Sequence, residues 1–233
     1  MLEALELTKA YETHVALRGL NLHISQGEVF CLLGANGAGK STTIKLFLNF
    51  ISPTTGAVHI NGLDPQTHPE QTKSLLGYIP EQVALYPRLT GLENLQYFAS
   101  LAGESDLCRQ RLKEVLAQAG LPEAAIDRRV DNYSKGMRQK VVIALALIRR
   151  VRGLLLDEPT SGLDPQAAHE FSKVLRRLGD EGVAVLMATH DLYHARESST
   201  RIGIMQQGTL IETFQAKEVS HLELEHRALE SMR

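Results

Sequence analysis

The sequence predicts an α/β protein with a mainly parallel sheet at its core, an N-terminal antiparallel β subdomain and an inserted helical subdomain. Three observations predict it. A short apolar run, Val29-Phe30-Cys31-Leu32-Leu33, passes through a glycine-rich loop into a helical pattern. Short alternating segments precede that run, as half-buried antiparallel strands do. Between residues 85 and 150 the period becomes helical, and the β signal resumes only afterwards. The expected division is a core with its β subdomain at 1–84 and 151–215, a helical subdomain at 85–150 and a peripheral C-terminal helix at 216–233.

In chain order, Leu5, Leu7, Val15, Leu17, Leu20, Leu22 and Ile24 alternate with polar residues, and residues 25–28 turn the chain into the apolar run. Tyr11 falls in the first turn, where an aromatic either stacks on a flat ligand ring or closes a hairpin. The loop that follows the run is Gly34-Ala35-Asn36-Gly37-Ala38-Gly39-Lys40-Ser41, the pattern G-x-x-x-x-G-K-[ST]. Its glycines let the backbone approach an anion closely, and the helix N-terminus behind it presents unpaired N–H groups. Lys40 is placed to reach β- and γ-phosphates, and the Ser41 hydroxyl to hold Mg²⁺. Thr42 opens the helix, with Ile44, Phe47 and Leu48 on one face. This is a nucleotide site on a P-loop NTPase core.

Beyond it, residues 53–56 turn, residues 57–60 form a strand, and Asn61-Gly62 is a hairpin signal. Residues 75–79 form another strand, stopped by Pro80, with Gln82 just past it. Thr90 and Glu93 make a capping box for the first helix of the helical block. A second helix covers 107–119 and ends at Gly120, and Ser134 caps a third that runs through Val141, Leu145 and Ile148. Leu154-Leu155-Leu156 then leads into Asp157-Glu158-Pro159, and residues 183–187 lead to Thr189-His190-Asp191. A hairpin across Gln207-Gly208 closes the sheet.

Asp157 ends a buried strand, where open parallel sheets collect ligands, and its carboxylate can hold Mg²⁺ opposite Ser41. Glu158 points elsewhere, because neighbouring side chains on a strand diverge, and is the candidate base for a water attacking the γ-phosphate. His190 ends a strand expected on the same rim and is placed to contact the γ-phosphate or the water.

Residues 34–41, Gln82, Tyr133-Ser134-Lys135-Gly136-Met137, Leu155-Leu156-Asp157-Glu158-Pro159, Ser161-Gly162-Leu163-Asp164 and His190 occur in the order found in the ATP-binding cassette ATPases. The chain resembles that family over residues 2–213. The resemblance implies head-to-tail pairs of cassettes that sandwich two ATP molecules. Ser134 and Gly136, with Lys135 and Met137 beside them, would complete the partner's phosphate site. Tyr11 would stack on adenine, and Ala16 would line the same pocket. Gln82 would sense the metal and the attacking water, and Asp164 would work across the dimer interface. The usual signature L-S-G-G-Q reads Y-S-K-G-M here. Lys135 would add charge near the partner's nucleotide or point to solvent. The variant resembles cassettes of small exporters whose membrane domains are separate chains.

The implied protein is a Mg-dependent ATPase, peripheral on the cytoplasmic face of the membrane. It would drive an integral membrane permease and pair with a second, identical cassette, and residues 85–90 resemble the surface such cassettes present to the permease. Composition agrees. Lys+Arg 25 against Asp+Glu 27 gives a net charge of -2, so no global field recruits nucleic acid. Cassettes that act on DNA or ribosomes carry coiled-coil insertions or two cassettes per chain, and neither is present here. No N-K-x-D segment reads guanine. Cys31 and Cys108 lack metal-ligand spacing and are expected to be reduced core thiols. The longest apolar run, 141–148, is far short of the roughly 20 residues that span a bilayer.

Overall fold

The structure, a computed structural model, describes residues 1–231. Two strands, β1 (Leu2–Tyr11) and β2 (His14–Ile24), pair antiparallel, and β4 (Thr55–Ile60) pairs with β1 on its other side. Leu2, Ala4, Leu7, Leu17, Leu20 and Ile24 are buried, which is the inward half of the alternation. Asn61-Gly62 makes a tight turn that closes one isolated bridge, Ile60 to Leu63, and no second strand follows. Its outward backbone is used instead: the Asn61 amide donates to the Met1 carbonyl.

The second sheet has six strands in the order β5-β6-β7-β3-β8-β9, comprising β5 (Leu76–Ile79), β6 (Gly153–Asp157), β7 (Ala184–Thr189), β3 (Val29–Leu33), β8 (Arg201–Gln206) and β9 (Thr209–Gln215). All neighbours are parallel except β9, which returns antiparallel through Gln207 and Gly208, both at positive φ. The strands are apolar without alternation because the sheet is covered on both faces. Val29, Cys31 and Leu33 enter one core with Leu154, Leu156, Val185 and Met187. Phe30 and Leu32 enter the other with Leu155 and Leu186, beneath α1 (Lys40–Phe47) and the antiparallel sheet.

The helices α3 (Gly91–Leu101), α4 (Arg109–Gln118), α5 (Glu123–Ile126) and α6 (Lys135–Ile148) continue the first core through Leu92, Leu95, Leu112, Val115 and Val141. Thr90 and Glu93 form both halves of the expected capping box, and Ser134 accepts the Met137 amide. Helices α2 (Pro69–Leu75), α7 (Pro165–Asp180) and α8 (Leu192–Ser198) were not expected from the sequence. Helix α7 is amphipathic, with Ala168, Phe171, Leu175 and Leu178 buried. The C-terminal helix α9 (His221–Ser231) begins later than the expected 216, and Met232 and Arg233 lie outside the described residues. Cys31 is buried, but Cys108 is exposed ahead of α4, so only one of the two thiols is a core group.

Helix α6 is fixed to α7 by an ion pair, Lys140 Nζ to Glu170 Oε2 at 2.8 Å, with the lysine buried and the glutamate half-exposed. The hydrogen bond from Lys140 holds the Glu170 carboxyl below its ordinary range. A carboxyl lowered on folding stabilises at neutral pH, and that contribution disappears as pH falls through the glutamate range. Glu170→Gln is therefore expected to lower the melting temperature at pH 7. The gap from the unsubstituted protein should shrink towards zero on acidification, as thermal melts across pH will measure.

Candidate functional site

The parallel order brings the C-terminal ends of β3, β6 and β7 to one rim, and Lys40, Ser41, Asp157, Glu158 and His190 meet there. Ser41 Oγ on the first turn of α1 donates to Asp157 Oδ1 at the end of β6, at 2.9 Å. Burial is the largest influence on Asp157 and pushes its carboxyl up, against the opposing Ser41 hydrogen bond. Lys40 is 5% exposed. Its ammonium donates to the carbonyls of Gly34 at 2.8 Å and Ala35 at 3.1 Å and lies 3.5 Å from Glu158 Oε1.

Glu158 turns away from Asp157 at a left-handed φ of 46°. Its amide is tied to the Ala188 carbonyl at 2.8 Å. Oε2 accepts from Thr189 Oγ1 at 3.1 Å and from the His190 ring Nδ1 at 2.9 Å. Oε1 is buried without a hydrogen-bond partner. One oxygen is thus held by the β7 end, and the other faces Lys40 and the cleft.

The phosphate loop closes tightly. Gly34 N donates to Thr189 O at 3.3 Å and Ala38 N to Ala35 O at 3.2 Å, leaving Asn36 and Gly37 at the exposed crest. Gly39 has φ of +104°, and a Cβ there would meet the Ala16 carbonyl at 2.6 Å. Gly39→Ala is accordingly expected to cost ~1–3 kcal/mol of stability in urea unfolding and to weaken nucleotide binding, through backbone strain.

The cleft in front of the loop is lined by His14, Ala16, Asn36, Gly37, Gly39, Lys40, Ser41, Thr42, Glu81, Asp157 and Glu158. Ala16 and Thr42 therefore stand at the phosphate loop. Tyr11 lies at the edge with 41% of its surface exposed, its ring stacked on His14 at 5.3 Å and the Lys9 ammonium 5.1 Å from its centroid. Gln82 is exposed in the loop after β5, and Glu81, its neighbour, is the residue that lines the cleft.

The signature residues lie apart from this cleft. Ser134 is exposed and caps α6, and Gly136 is buried. Met137 packs against the core, with its sulfur 3.6 Å from Arg128 Nη2. Within its own chain Lys135 Nζ donates to the Ser161 carbonyl at 2.5 Å. Asp164 caps α7, accepting the Ala167 amide at 2.8 Å.

Sequence reasoning passed over Thr189 and Gln139, which hold Glu158 and the loop after it. Thr189 carried a signal, since it sits beside His190, whereas Gln139 lies in the polar run Arg138-Gln139-Lys140 and its complete burial shows only in the structure.

Two hard oxygen donors, Ser41 and Asp157, meet near Glu158 Oε1, which makes no hydrogen bond, and oxygen donors of this kind suit a small divalent cation. Among the described residues no group of three or more His, Cys, Asp or Glu is arranged to hold a metal by itself. Phosphate and water oxygens would have to supply the remaining ligands.

Comparison with known proteins agrees with this arrangement. Residues 17–161 match the family model described as ABC transporter. The chain is similar to the linearmycin resistance ATP-binding protein LnrL of Bacillus subtilis (strain 168), 34% identical over 212 residues, covering 91% of this chain and 68% of that protein. It is also similar to the bacitracin transport ATP-binding protein BcrA of Enterococcus faecalis, 34% identical over 221 residues, covering 94% of this chain and 70% of that one. The chain thus spans about two thirds of the length of these relatives (68% and 70%). Among solved structures, an ATP-binding subunit of an ABC transporter superposes with a TM-score of 0.83 at 30% identity, covering 100% of both chains. The cassette MJ0796, a dimer in a post-hydrolysis state bound to ADP and Pi, superposes with a TM-score of 0.79 at 28% identity, covering 93% of this chain and 99% of that one. No helix among the described residues is long and apolar enough to cross a membrane. On the combined weight of motif order, rim geometry and matched length, the chain belongs to the ABC transporter family as an ATP-binding cassette.

Proposed function

We propose that this chain hydrolyses ATP to drive a separate integral membrane permease, an exporter, by closing head to tail on a second copy of itself. The observation that carries the reading is the pairing of Ser41 with Asp157 beside a Glu158 whose Oε2 is already held by Thr189 and His190. Oε1 is then the atom left to take the proton of a water attacking the γ-phosphate. Thr189 and His190 keep that carboxylate oriented, and the half-exposed His190 ring can also reach the γ-phosphate.

Residues 34–41 wrap the phosphates through main-chain N–H groups, and Lys40 exchanges its carbonyl partners for phosphate oxygens. Tyr11 and Ala16 receive the adenine side. Ser41 and Asp157 would hold Mg²⁺, with Gln82 approaching from the loop after β5. When bound, the ion offsets charge on the β- and γ-phosphates. Ser134, exposed ahead of α6, and Gly136 in its first turn meet the partner's γ-phosphate, with Asp164 at the same interface. The helices between residues 85 and 150 act as the subdomain that passes closure to the permease, which holds the cassette at the inner face of the membrane. Export is favoured by relatives described as resistance, bacitracin transport and Nod factor export ATP-binding proteins.

Steady-state phosphate release by the purified chain tests the reading. Release that needs Mg²⁺, and whose specific rate rises with protein concentration as dimers form, is expected. No release, or release indifferent to chelator, would overturn it.

A further inference from the structure

Two side chains one helical turn apart on α6 reach the same short loop. Lys135 Nζ donates to the Ser161 carbonyl at 2.5 Å, and Gln139 Nε2 donates to the Pro159 carbonyl at 2.5 Å. That loop begins immediately after Glu158 and runs into Asp164, the cap of α7. Positions i and i+4 share a helix face, so the two donors grip the loop as a pair. Gly136, between them, packs on the end of the loop and the first turn of α7, where a Cβ would meet Leu163 at 3.5 Å and Ala167 at 3.7 Å. The Gln139 end of the grip is dry, with Gln139 fully buried and Thr160 4% exposed, while Lys135 and Ser161 are half-buried.

The contact is also incompletely bonded. Gln139 Oε1 and Thr160 Oγ1 are both buried without hydrogen-bond partners, and so is Glu158 Oε1. Buried polar atoms of this kind favour any rearrangement that pairs them. A loop with donors and acceptors in reserve, held by two side chains of one helix, has the makings of an element with two settings.

We propose that Lys135 and Gln139 form a latch within the chain that ties the start of α6 to the loop after Glu158, so that displacement of the helix is felt at the catalytic carboxylate. The charge of Lys135 is used on Ser161 of its own chain and not on a nucleotide. Lys135 is a positioning residue in this scheme. The consequence for turnover rests on the ATPase reading above, whereas the latch itself does not.

Hydrogen–deuterium exchange on the full chain without nucleotide separates the two. The Ser161 amide donates to Glu158 O and the Leu163 amide to Thr160 O, so both report on the loop. In Lys135→Met these amides are expected to exchange about tenfold faster, the size a charged hydrogen bond supports, with β6 and the interior of α7 unchanged. Lys135→Arg, which keeps the donor, should restore most of the protection. Unchanged exchange in the methionine variant would overturn the latch. In turnover assays Lys135→Met should lower kcat with KM held within about twofold, as loss of a positioning contact does. A rise in KM alone would mean that the lysine serves nucleotide and would also overturn it. If the unsubstituted chain releases no phosphate, the ATPase reading fails while exchange still decides the latch.

Discussion

Lys40→Ala is expected to raise the dissociation constant for ATP by about 10²-fold, the scale of truncating a buried charged hydrogen-bond partner. Lys40 is 5% exposed and gathers three acceptors, the carbonyls of Gly34 and Ala35 and Glu158 Oε1. Removing it takes away the ammonium held by the loop carbonyls and the cation 3.5 Å from Glu158 Oε1, an oxygen already without a hydrogen bond. Two losses therefore coincide, weaker phosphate binding and a more costly buried carboxylate. Lys40→Arg should not restore affinity, because a planar fork cannot occupy the place of a compact ammonium between two carbonyls. Equilibrium titration with a fluorescent ATP analogue measures both variants. Affinity unchanged in Lys40→Ala would remove the lysine from the phosphate site.

Glu158→Gln is expected to reduce ATP turnover by about 10²–10⁴-fold, the usual contribution of a general base, with nucleotide affinity within a few-fold of the original. The substitution keeps shape and length, so the contacts from Thr189 and His190 have an amide to meet in place of the carboxylate. What is lost is the basicity of Oε1. A phosphate-release assay paired with nucleotide titration distinguishes this from Lys40→Ala, which acts on binding first. Equal losses in both measurements would mean that Glu158 serves mainly to hold Lys40.

Much of this site was legible because its chemistry is local in sequence. The glycine loop, its strand and its helix are contiguous, and the left-handed Gly39 is a requirement that a short motif can state. The capping box at Thr90 and Glu93 is likewise complete within four residues. Asp157 and His190 required only that two apolar runs end on one rim, which parallel pairing of β6 with β7 provides.

What escaped depends on distance. The strand order β5-β6-β7-β3-β8-β9 puts β3 between β7 and β8, far from its sequence neighbours, and no periodicity encodes that choice. The intrachain acceptor of Lys135, Ser161, lies 26 positions away, so no local pattern signals that contact. Gln82 is exposed in the loop after β5 while its neighbour Glu81 lines the cleft, and direction within such an irregular loop is set by tertiary contacts that no periodicity encodes. Helix α7 is a different kind of miss. Asp164 and Pro165 mark its start, and Ala168, Phe171, Leu175 and Leu178 keep helical spacing, so its signal was present but passed over beside the stronger β runs.

The most direct test of nucleotide-driven pairing is the mass of Glu158→Gln in solution by light scattering, with Mg-ATP and then with Mg-ADP. A mass that doubles with ATP and returns to that of one chain with ADP is the predicted result. A single-chain mass in ATP, from protein shown to have bound it, would contradict the account.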